Sequence, residues 1–249
     1  SYKLYRKDLQ YNANKYDGPI RLTKSHTKEI RRQGDILLNY DKTFAQKHTV
    51  NALAGFHTEL YSYEYDDAYR QDFPSSDVTD MNGGSVVGMR NSGYTRELAM
   101  NSVFSRLKYN YRDKYLFEAN VRGDGSSRFA PETRWGNFWS LGTSWRIDRE
   151  SFMASTSDWL SALTLKMSYG AQGNDNLGTY YASKGLYSIV SNLGENALVS
   201  DRMATPNLKW ETNLNFNVGI DFSLFNNRFS GSFDFFTRRS KDLLYSRPI

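Results

Sequence analysis

Few residues of this sequence have the types and spacing that catalysis or metal binding requires. The 249 residues include no cysteine, which excludes disulfides, thiolate metal sites and a catalytic thiol. The three histidines, His26, His48 and His57, are scattered and lack the spacing of metal ligands. No recognisable serine–histidine–aspartate motif accompanies them. The sequence therefore predicts neither an enzyme nor a cofactor or metal site.

Two acidic segments and one glycine-rich segment are weaker candidates for ligand binding. Asp66-Asp67 and Asn174-Asp175-Asn176 offer the oxygen atoms that calcium prefers, but neither forms a complete calcium-loop pattern. Gly123-Asp124-Gly125 is not a phosphate cradle, because no helix is predicted after it and no lysine is placed as in a P-loop. We interpret the acidic segments as solvated loops and the glycines as a tight turn.

Aromatic residues in or near polar loops are the remaining candidates. Sugar rings have apolar faces that stack well on the flat side chains of tryptophan and tyrosine. On this ground Trp135, Tyr180 and Tyr181 are predicted to line a path for substrate. The alternative for Trp135 is that it packs within its own loop or anchors the chain at a membrane interface.

The composition limits the fold that can position these residues. Aromatic residues make up 15% of the chain, yet the mean hydropathy is -0.67, which is too polar for an ordinary enzyme core of this size. The net charge is +5, but lysine and arginine are interspersed with aspartate and glutamate, so we do not expect nucleic-acid binding. No apolar run approaches the roughly 18 residues that a transmembrane helix needs.

Alternation of apolar and polar residues dominates the chain and predicts β-strands. In the clearest segment, 208–224, Phe216 and Val218 share one face, whereas Asn215, Asn217 and Asp221 share the other. We predict about eight strands in all, at residues 36–43, 49–61, 96–111, 115–122, 137–147, 162–172, 208–224 and 228–239.

The length and chemistry of these strands favour a membrane barrel. Several exceed the 5 or 6 residues usual in soluble sheets, and a membrane-crossing strand needs about 9 to 11. One face carries charged and amide side chains and the other carries aliphatic residues with tryptophan and phenylalanine near the strand ends, as expected for a polar lumen, a lipid-facing surface and aromatic girdles. The predicted fold is therefore all-β, an antiparallel transmembrane β-barrel segment. Trp139, Trp145 and Trp210 are predicted to face lipid or to belong to a girdle.

The predicted connections alternate between short and long. Segments 44–48, 112–114 and 225–227 are short and 148–161 is moderate, whereas 62–95, 123–136 and 173–207 are long. Outer-membrane barrels have short periplasmic turns at one end and long extracellular loops at the other. In the moderate connector we expect one helical turn capped by Asp148.

With the strands assigned, several segments resemble the SusC/RagA class of TonB-dependent outer-membrane transporters. The resemblance covers residues 36–249 in the expected order and spacing. It is carried by residues 40–44, 52–56, 113–116, 122–129, 134–136, Ser144-Trp145-Arg146-Ile147 with Phe152-Met153, 165–170 with Gly173-Asn174, 207–211, 215–221 and 241–244.

This resemblance implies a plugged barrel of about 22 strands in the outer membrane of a Gram-negative bacterium, surrounded by lipid. Members of the class import oligosaccharides, glycans or peptides. They draw energy from the TonB complex and work with a SusD-like surface lipoprotein. This sequence has no recognisable plug domain or TonB box, so we expect residues 36–249 to be part of a larger barrel domain. Residues 1–35 are expected to be an extracellular loop segment that leads into the strand at Ile36.

Two other functions are compatible with parts of the pattern. A passive porin-like channel would have the same two-faced strands without a plug. A soluble β-sandwich that binds carbohydrate would bury its apolar face against a second sheet instead of lipid.

Overall fold

The computed structural model describes residues 2–6, 19–75, 77–192 and 195–245. The chain divides into two compact units, one of Ser1–Arg32 with Glu59–Ala99 and one of Gln33–Thr58 with Met100–Ile249. The described residues contain eleven strands, three short 3-10 helices and no α-helix, so none of their helices is long and apolar enough to cross a membrane.

The strands alternate with connections of very different length. The helices are Met81–Gly83, Ile147–Arg149 and Ser151–Thr156. The strands are β1 (Tyr2–Arg6), β2 (Arg21–Phe44), β3 (His48–Gln71), β4 (Ser85–Tyr111), β5 (Tyr115–Ser126), β6 (Trp135–Arg146), β7 (Leu160–Asn174), β8 (Leu186–Asn192), β9 (Glu195–Arg202), β10 (Glu211–Leu224) and β11 (Phe229–Lys241).

In the first unit the strands follow the order β1-β2-β3-β4, with β1 antiparallel to β2. Lys28 Nζ lies 3.6 Å from Glu64 Oε2, and Arg31 Nε lies 3.5 Å from Glu59 Oε1, so ion pairs link β2 to β3 here. The connection from β3 to β4 includes the buried Phe73, whose backbone N–H donates to the carbonyl oxygen of Ile20.

This unit corrects two predicted boundaries. The strand expected to start at Ile36 begins at Arg21, and the connection expected over residues 62–95 is confined to 72–84. Residues 21–35 of β2 are polar on both faces apart from Leu22, Ile30 and Gly34, and the adjacent Val86 and Val87 interrupt the alternation at the start of β4, so neither segment shows the pattern that marks a half-buried strand. Hydrogen bonding to neighbouring strands holds them extended instead.

In the second unit the order is β2-β3-β4-β5-β6-β7-β10-β11, and the pairs from β4 to β11 are antiparallel. All eight predicted strands are therefore present. Between β7 and β10, β8 and β9 form a separate two-stranded sheet that the sequence did not predict. Short connections follow β2, β4 and β10, and left-handed residues such as Arg112 and Asn226 turn the chain there.

The moderate connector between β6 and β7 contains two 3-10 helices, but Asp148 does not cap them. The first helix begins at Ile147, so Asp148 lies inside it. Its carboxylate accepts a hydrogen bond from the Leu163 backbone N–H at 3.1 Å and pairs with Arg146 Nη2 at 3.0 Å. The aspartate therefore ties the connector to β7 instead of starting a helix.

The glycines of the 123–125 segment lie within β5 and do not form the predicted turn. Gly123 pairs with Val103 on β4, and Gly125 pairs with Trp135 on β6. A Cβ atom at Gly125 would lie 2.9 Å from the Trp135 indole, closer than carbon atoms normally approach. Glycine is needed here for the close approach of a ring, which the sequence pattern does not distinguish from a turn.

Candidate functional site

One face of the second unit is a continuous apolar surface. Strand register aligns Leu141 on β6, Tyr169 on β7 and Phe216 on β10 in one row. Leu141 and Tyr169 are 45% and 43% exposed, so the described part of the chain supplies no second layer over this face. The adjacent row consists of Phe117, Thr143, Met167, Val218 and Phe235. A surface of this kind requires an apolar solvent or a partner.

The opposite face is polar and its side chains bond across the strands. Asn120 Nδ2 donates to Ser140 Oγ at 3.1 Å, and Asn217 Nδ2 donates to Ser168 Oγ at 3.2 Å. Ion pairs continue the pattern, with Lys166 Nζ 2.6 Å from Asp221 Oδ2. This face can therefore hydrogen-bond a polar solute.

A shallow depression of about 460 Å³ lies on the polar face. Its lining includes the small residues Ser140 and Gly170, which pair with each other on β6 and β7. Longer polar side chains in the lining are Asn120, Arg122, Gln172, Asn215 and Arg238. Its donors and acceptors suit binding through hydrogen bonds, and it holds no nucleophile and base arranged for catalysis.

At the long-loop end the loops pack around an aromatic cluster of Phe129, Phe138 and Trp210. The ring centroid of Trp210 is 5.2 Å from that of Phe129 and 5.4 Å from that of Phe138. Trp210 is only 7% exposed, so the prediction that it faces lipid or belongs to a girdle is wrong. The reason is that β10 begins at Glu211, and the alternation does not extend back to Trp210. In contrast, Trp139 is exposed and lies in the apolar face beside Val121.

A half-buried group of polar side chains joins the β5–β6 loop to the chain after β7. Arg128 Nη1 lies 3.1 Å from both the carboxylate and the backbone oxygen of Asp175. Ser126 Oγ donates to the other carboxylate oxygen at 2.8 Å. Asp175 is thus held by an arginine, and the described residues contain no group of three or more acidic, histidine or cysteine side chains that could hold a metal ion. Asp67, the other acidic candidate, accepts a hydrogen bond from Ser92 Oγ.

The three predicted substrate-lining residues are in separate surroundings. Trp135 starts β6, is 54% exposed and packs over Gly125. Tyr180 and Tyr181 are half-buried in the long connection after β7. The Arg128 guanidinium lies 6.0 Å from the centre of the Tyr180 ring, and Lys184 Nζ lies 5.6 Å from that of Tyr181. Tyr180 therefore belongs to the loop packing around Arg128 and Tyr181 contacts Lys184, whereas Trp135 contacts β5. Their role in lining a substrate path stays a prediction.

The short-turn end carries a series of rings on successive strands. His48 Nδ1 lies 2.7 Å from the Tyr109 hydroxyl, and the Tyr115 and Trp145 rings stack at 6.5 Å. Glu150, in the connector after β6, accepts hydrogen bonds from the Tyr115 hydroxyl at 2.5 Å and the Trp145 indole N–H at 3.1 Å, and it pairs with Lys114. These donors lower the pKa of the Glu150 carboxyl below its ordinary value.

A second aromatic series, in the first unit, is absent from the sequence predictions. We define the tyrosine ladder as Tyr61, Tyr63, Tyr65 and Tyr69 of β3 with Tyr94 of β4. The four residues of β3 alternate with others and therefore share one face of the strand. The Tyr94 ring lies 5.9 Å from the Tyr63 ring and 5.4 Å from the Tyr65 ring. The regular Tyr-Ser-Tyr-Glu-Tyr spacing was an available signal.

The two faces and the connections together define a class of protein. An antiparallel sheet with long strands, one exposed apolar face, one hydrogen-bonded polar face and short turns at one end has the architecture of an outer-membrane β-barrel wall. The family model described as "TonB dependent receptor-like, beta-barrel" matches residues 1–249. The chain belongs to this family, and both the predicted fold class and the resemblance to SusC/RagA-type transporters are confirmed.

Similar proteins agree in sequence and structure. TonB-dependent receptor P39 of Formosa agariphila is 34% identical over 223 residues, which are 87% of this chain and 21% of the relative. TonB-dependent receptor SusC of Bacteroides thetaiotaomicron is 35% identical over 165 residues, which are 64% of this chain and 16% of the relative. The structure of the RagAB peptide transporter superposes with a TM-score of 0.87 at 27% identity, covering 96% of this chain and 26% of that one. The chain thus spans about a fifth of the length of the curated relatives.

Proposed function

We propose that this chain forms part of the barrel wall of an importer that carries oligosaccharides or peptides across the outer membrane of a Gram-negative bacterium. The observation that carries the proposal is the register of the second unit, which collects apolar side chains in rows on one face and bonded polar side chains in rows on the other. Lipid covers the first face, and the second lines the path of a polar solute.

The proposed import is active. TonB supplies the energy through a plug that we place in other parts of a longer protein, and a SusD-like lipoprotein covers the long-loop end. Substrate meets Trp135, Tyr180 and Tyr181 near this end before it passes along the polar wall. A SusC relative and a RagAB structure described as a peptide transporter support an importer of this kind.

Uptake by living cells tests the proposal. We would delete the gene that encodes the full-length protein and measure uptake of fluorescent oligosaccharides and peptides by the parent, the deletion strain and the complemented strain. The expected result is uptake of one of these classes that requires the gene and is abolished by a protonophore, because TonB depends on the proton gradient. Gene-dependent uptake that persists with the protonophore would indicate a passive porin-like channel. A native protein that is monomeric and soluble without detergent would instead indicate a β-sandwich.

Surface labelling tests the orientation of the two ends. Leu198, on β9 in the long connection, is highly exposed, and Lys47 lies in the short turn after β2. In the full-length protein, Leu198→Cys should react with a membrane-impermeant maleimide on intact cells, whereas Lys47→Cys should react only after lysis. The reverse pattern would show that the long loops face the periplasm.

A further inference from the structure

The tyrosine ladder has the geometry of an extended binding surface. Residues two apart in a strand repeat at roughly 6.8 Å, so rings on alternate residues form a regularly spaced row along the strand. Tyr61, Tyr63 and Tyr65 occupy three consecutive steps, and Tyr69 follows after the step taken by Asp67. The rings are only partly buried, and Tyr94 is 42% exposed. The rings contact one another and neighbouring arginines on part of their surface, and the remainder is accessible to a ligand.

Charged and hydroxyl groups interleave with the rings. The Arg90 guanidinium lies 4.4 Å from the centre of the Tyr69 ring, and that of Arg96 lies 4.4 Å from the centre of the Tyr94 ring. Asp67 and Ser92 are hydrogen-bonded to each other beside the ladder. A cleft of about 620 Å³ opens at this point, within the size range of small-molecule sites, and its lining includes Thr23, Asp67, Tyr69, Arg90 and Ser92.

We propose that the tyrosine ladder is an oligosaccharide-binding site. The apolar C–H faces of pyranose rings stack on the tyrosines, and the sugar hydroxyls hydrogen-bond to Asp67, Arg90 and Ser92 in the cleft. The glycan lies along β3, so that it contacts several rings of the row. This inference rests on the proposed import function, which brings polar solutes to the inner face of the protein.

The strand pairing favours a glycan over a peptide at this position. Extended peptides commonly bind by adding a strand to a free sheet edge, where main-chain groups form the hydrogen bonds. β3 lies between β2 and β4 and is hydrogen-bonded to both, so its main-chain groups are already engaged. Only side chains remain for recognition, and here they are flat rings with hydroxyl, guanidinium and carboxylate groups. That set suits sugar rings and their hydroxyls.

Binding measurements on the purified full-length protein in detergent test the site. The probes are maltohexaose, cellohexaose, xylohexaose and mannohexaose, with a tryptic digest of casein as the peptide sample. At least one sugar should bind the wild type.

Tyr65→Ala and Tyr94→Ala should each weaken the binding of that sugar at least about fivefold, the size of loss typical of an important aromatic contact. Tyr65→Phe and Tyr94→Phe, which keep the rings, should bind within about twofold of the wild type. Tyr40→Ala, an exposed tyrosine of β2 outside the ladder, is the matched control and should not change binding.

Nitration of the wild-type protein gives a second readout that does not depend on folding of the variants. The bound sugar should protect Tyr65 and Tyr94, but not Tyr40, from tetranitromethane. Binding of none of the sugars, equal sugar binding by the wild type and the alanine variants, or protection by the casein peptides alone would each overturn the inference.

Cell uptake separates this inference from the proposed function. If uptake requires the gene and is sensitive to the protonophore but is the same in the ladder variants as in the wild type, the ladder is not the binding site, although the protein is still an importer. If the parent strain and the deletion strain take up all probes equally, the proposed import function is itself wrong.

Discussion

The indole nitrogen of Trp210 donates a hydrogen bond to the backbone oxygen of Arg134 at 2.8 Å. This bond links the segment before β10 to the end of the β5–β6 loop. Because Trp210 also packs against Phe129 and Phe138, this side chain contributes both apolar contacts and a hydrogen bond at the long-loop end. The loop carbonyl would be left without this partner if the indole nitrogen were removed.

We therefore expect two separable effects of substitution at Trp210. Trp210→Phe should lower the free energy of unfolding by about 1 kcal/mol through the lost hydrogen bond, and Trp210→Ala by about 3–5 kcal/mol because a cavity also forms. Urea unfolding of the full-length protein in lipid vesicles measures both. Trp159→Phe is the control, since Trp159 is exposed. Equal losses for Trp210→Phe and Trp159→Phe would show that the hydrogen bond contributes nothing.

The assignment of the two faces predicts opposite responses at adjacent residues of β10. Phe216 lies in the apolar face beside Tyr169, and Asn217 lies in the polar face, bonded to Ser168. Phe216→Arg should cost about 2–4 kcal/mol if the residue is near the bilayer midplane, whereas Asn217→Arg should be tolerated, because a polar lumen accepts a charge. Unfolding in vesicles checks this, and equal tolerance at both positions would contradict the assignment.

The sequence predicted the strands that have lipid on one face and water on the other. It did not predict the strand segments that lack this difference. Lipid on one side and water on the other impose strict alternation, so segments such as 208–224 could be recognised as strands. Residues 21–35 have mostly polar side chains on both faces, and only pairing with neighbouring strands reveals them. Residues 62–71 do alternate tyrosine with polar residues, but Asp66-Asp67 was interpreted as part of a solvated loop, and the tyrosine ladder was missed for that reason. The prediction that Trp210 faces lipid or belongs to a girdle was wrong for a related reason, because alternation cannot show where a strand ends and loop packing begins.

Two glycines on the polar face provide a matched test of close packing. A Cβ atom at Gly170 would lie 2.7 Å from Ser140 Cβ and 2.8 Å from the backbone oxygen of Trp139. At Gly142 the nearest neighbour, the backbone oxygen of Met167, would be 4.0 Å away. Gly170→Ala should therefore destabilise the protein by about 1–3 kcal/mol through overpacking, whereas Gly142→Ala should change little. The free energy of unfolding in vesicles distinguishes them, and a harmless Gly170→Ala would show that β6 and β7 separate easily.

Glu150 makes the short-turn end sensitive to acid. Hydrogen bonds from Tyr115 and Trp145 and the ion pair with Lys114 favour the carboxylate, so the pKa of Glu150 is lower in the folded protein than in the unfolded chain. A lowered pKa adds stability that is fully present above the unfolded pKa of about 4.3 and is lost as the pH falls through the folded value. Glu150→Gln removes the charge at every pH.

The difference in unfolding free energy between the wild type and Glu150→Gln should therefore be largest near neutral pH and should shrink as the pH falls below about 4. Urea unfolding in vesicles across this range measures the difference. Glu132→Gln, in the exposed part of the β5–β6 loop, is the control and should show no such trend. A difference that stays constant, or grows toward acid pH, would mean that the three donors do not act on the carboxylate charge. The stacking of Tyr115 on Trp145, and not the charge of Glu150, would then stabilise this part of the short-turn end.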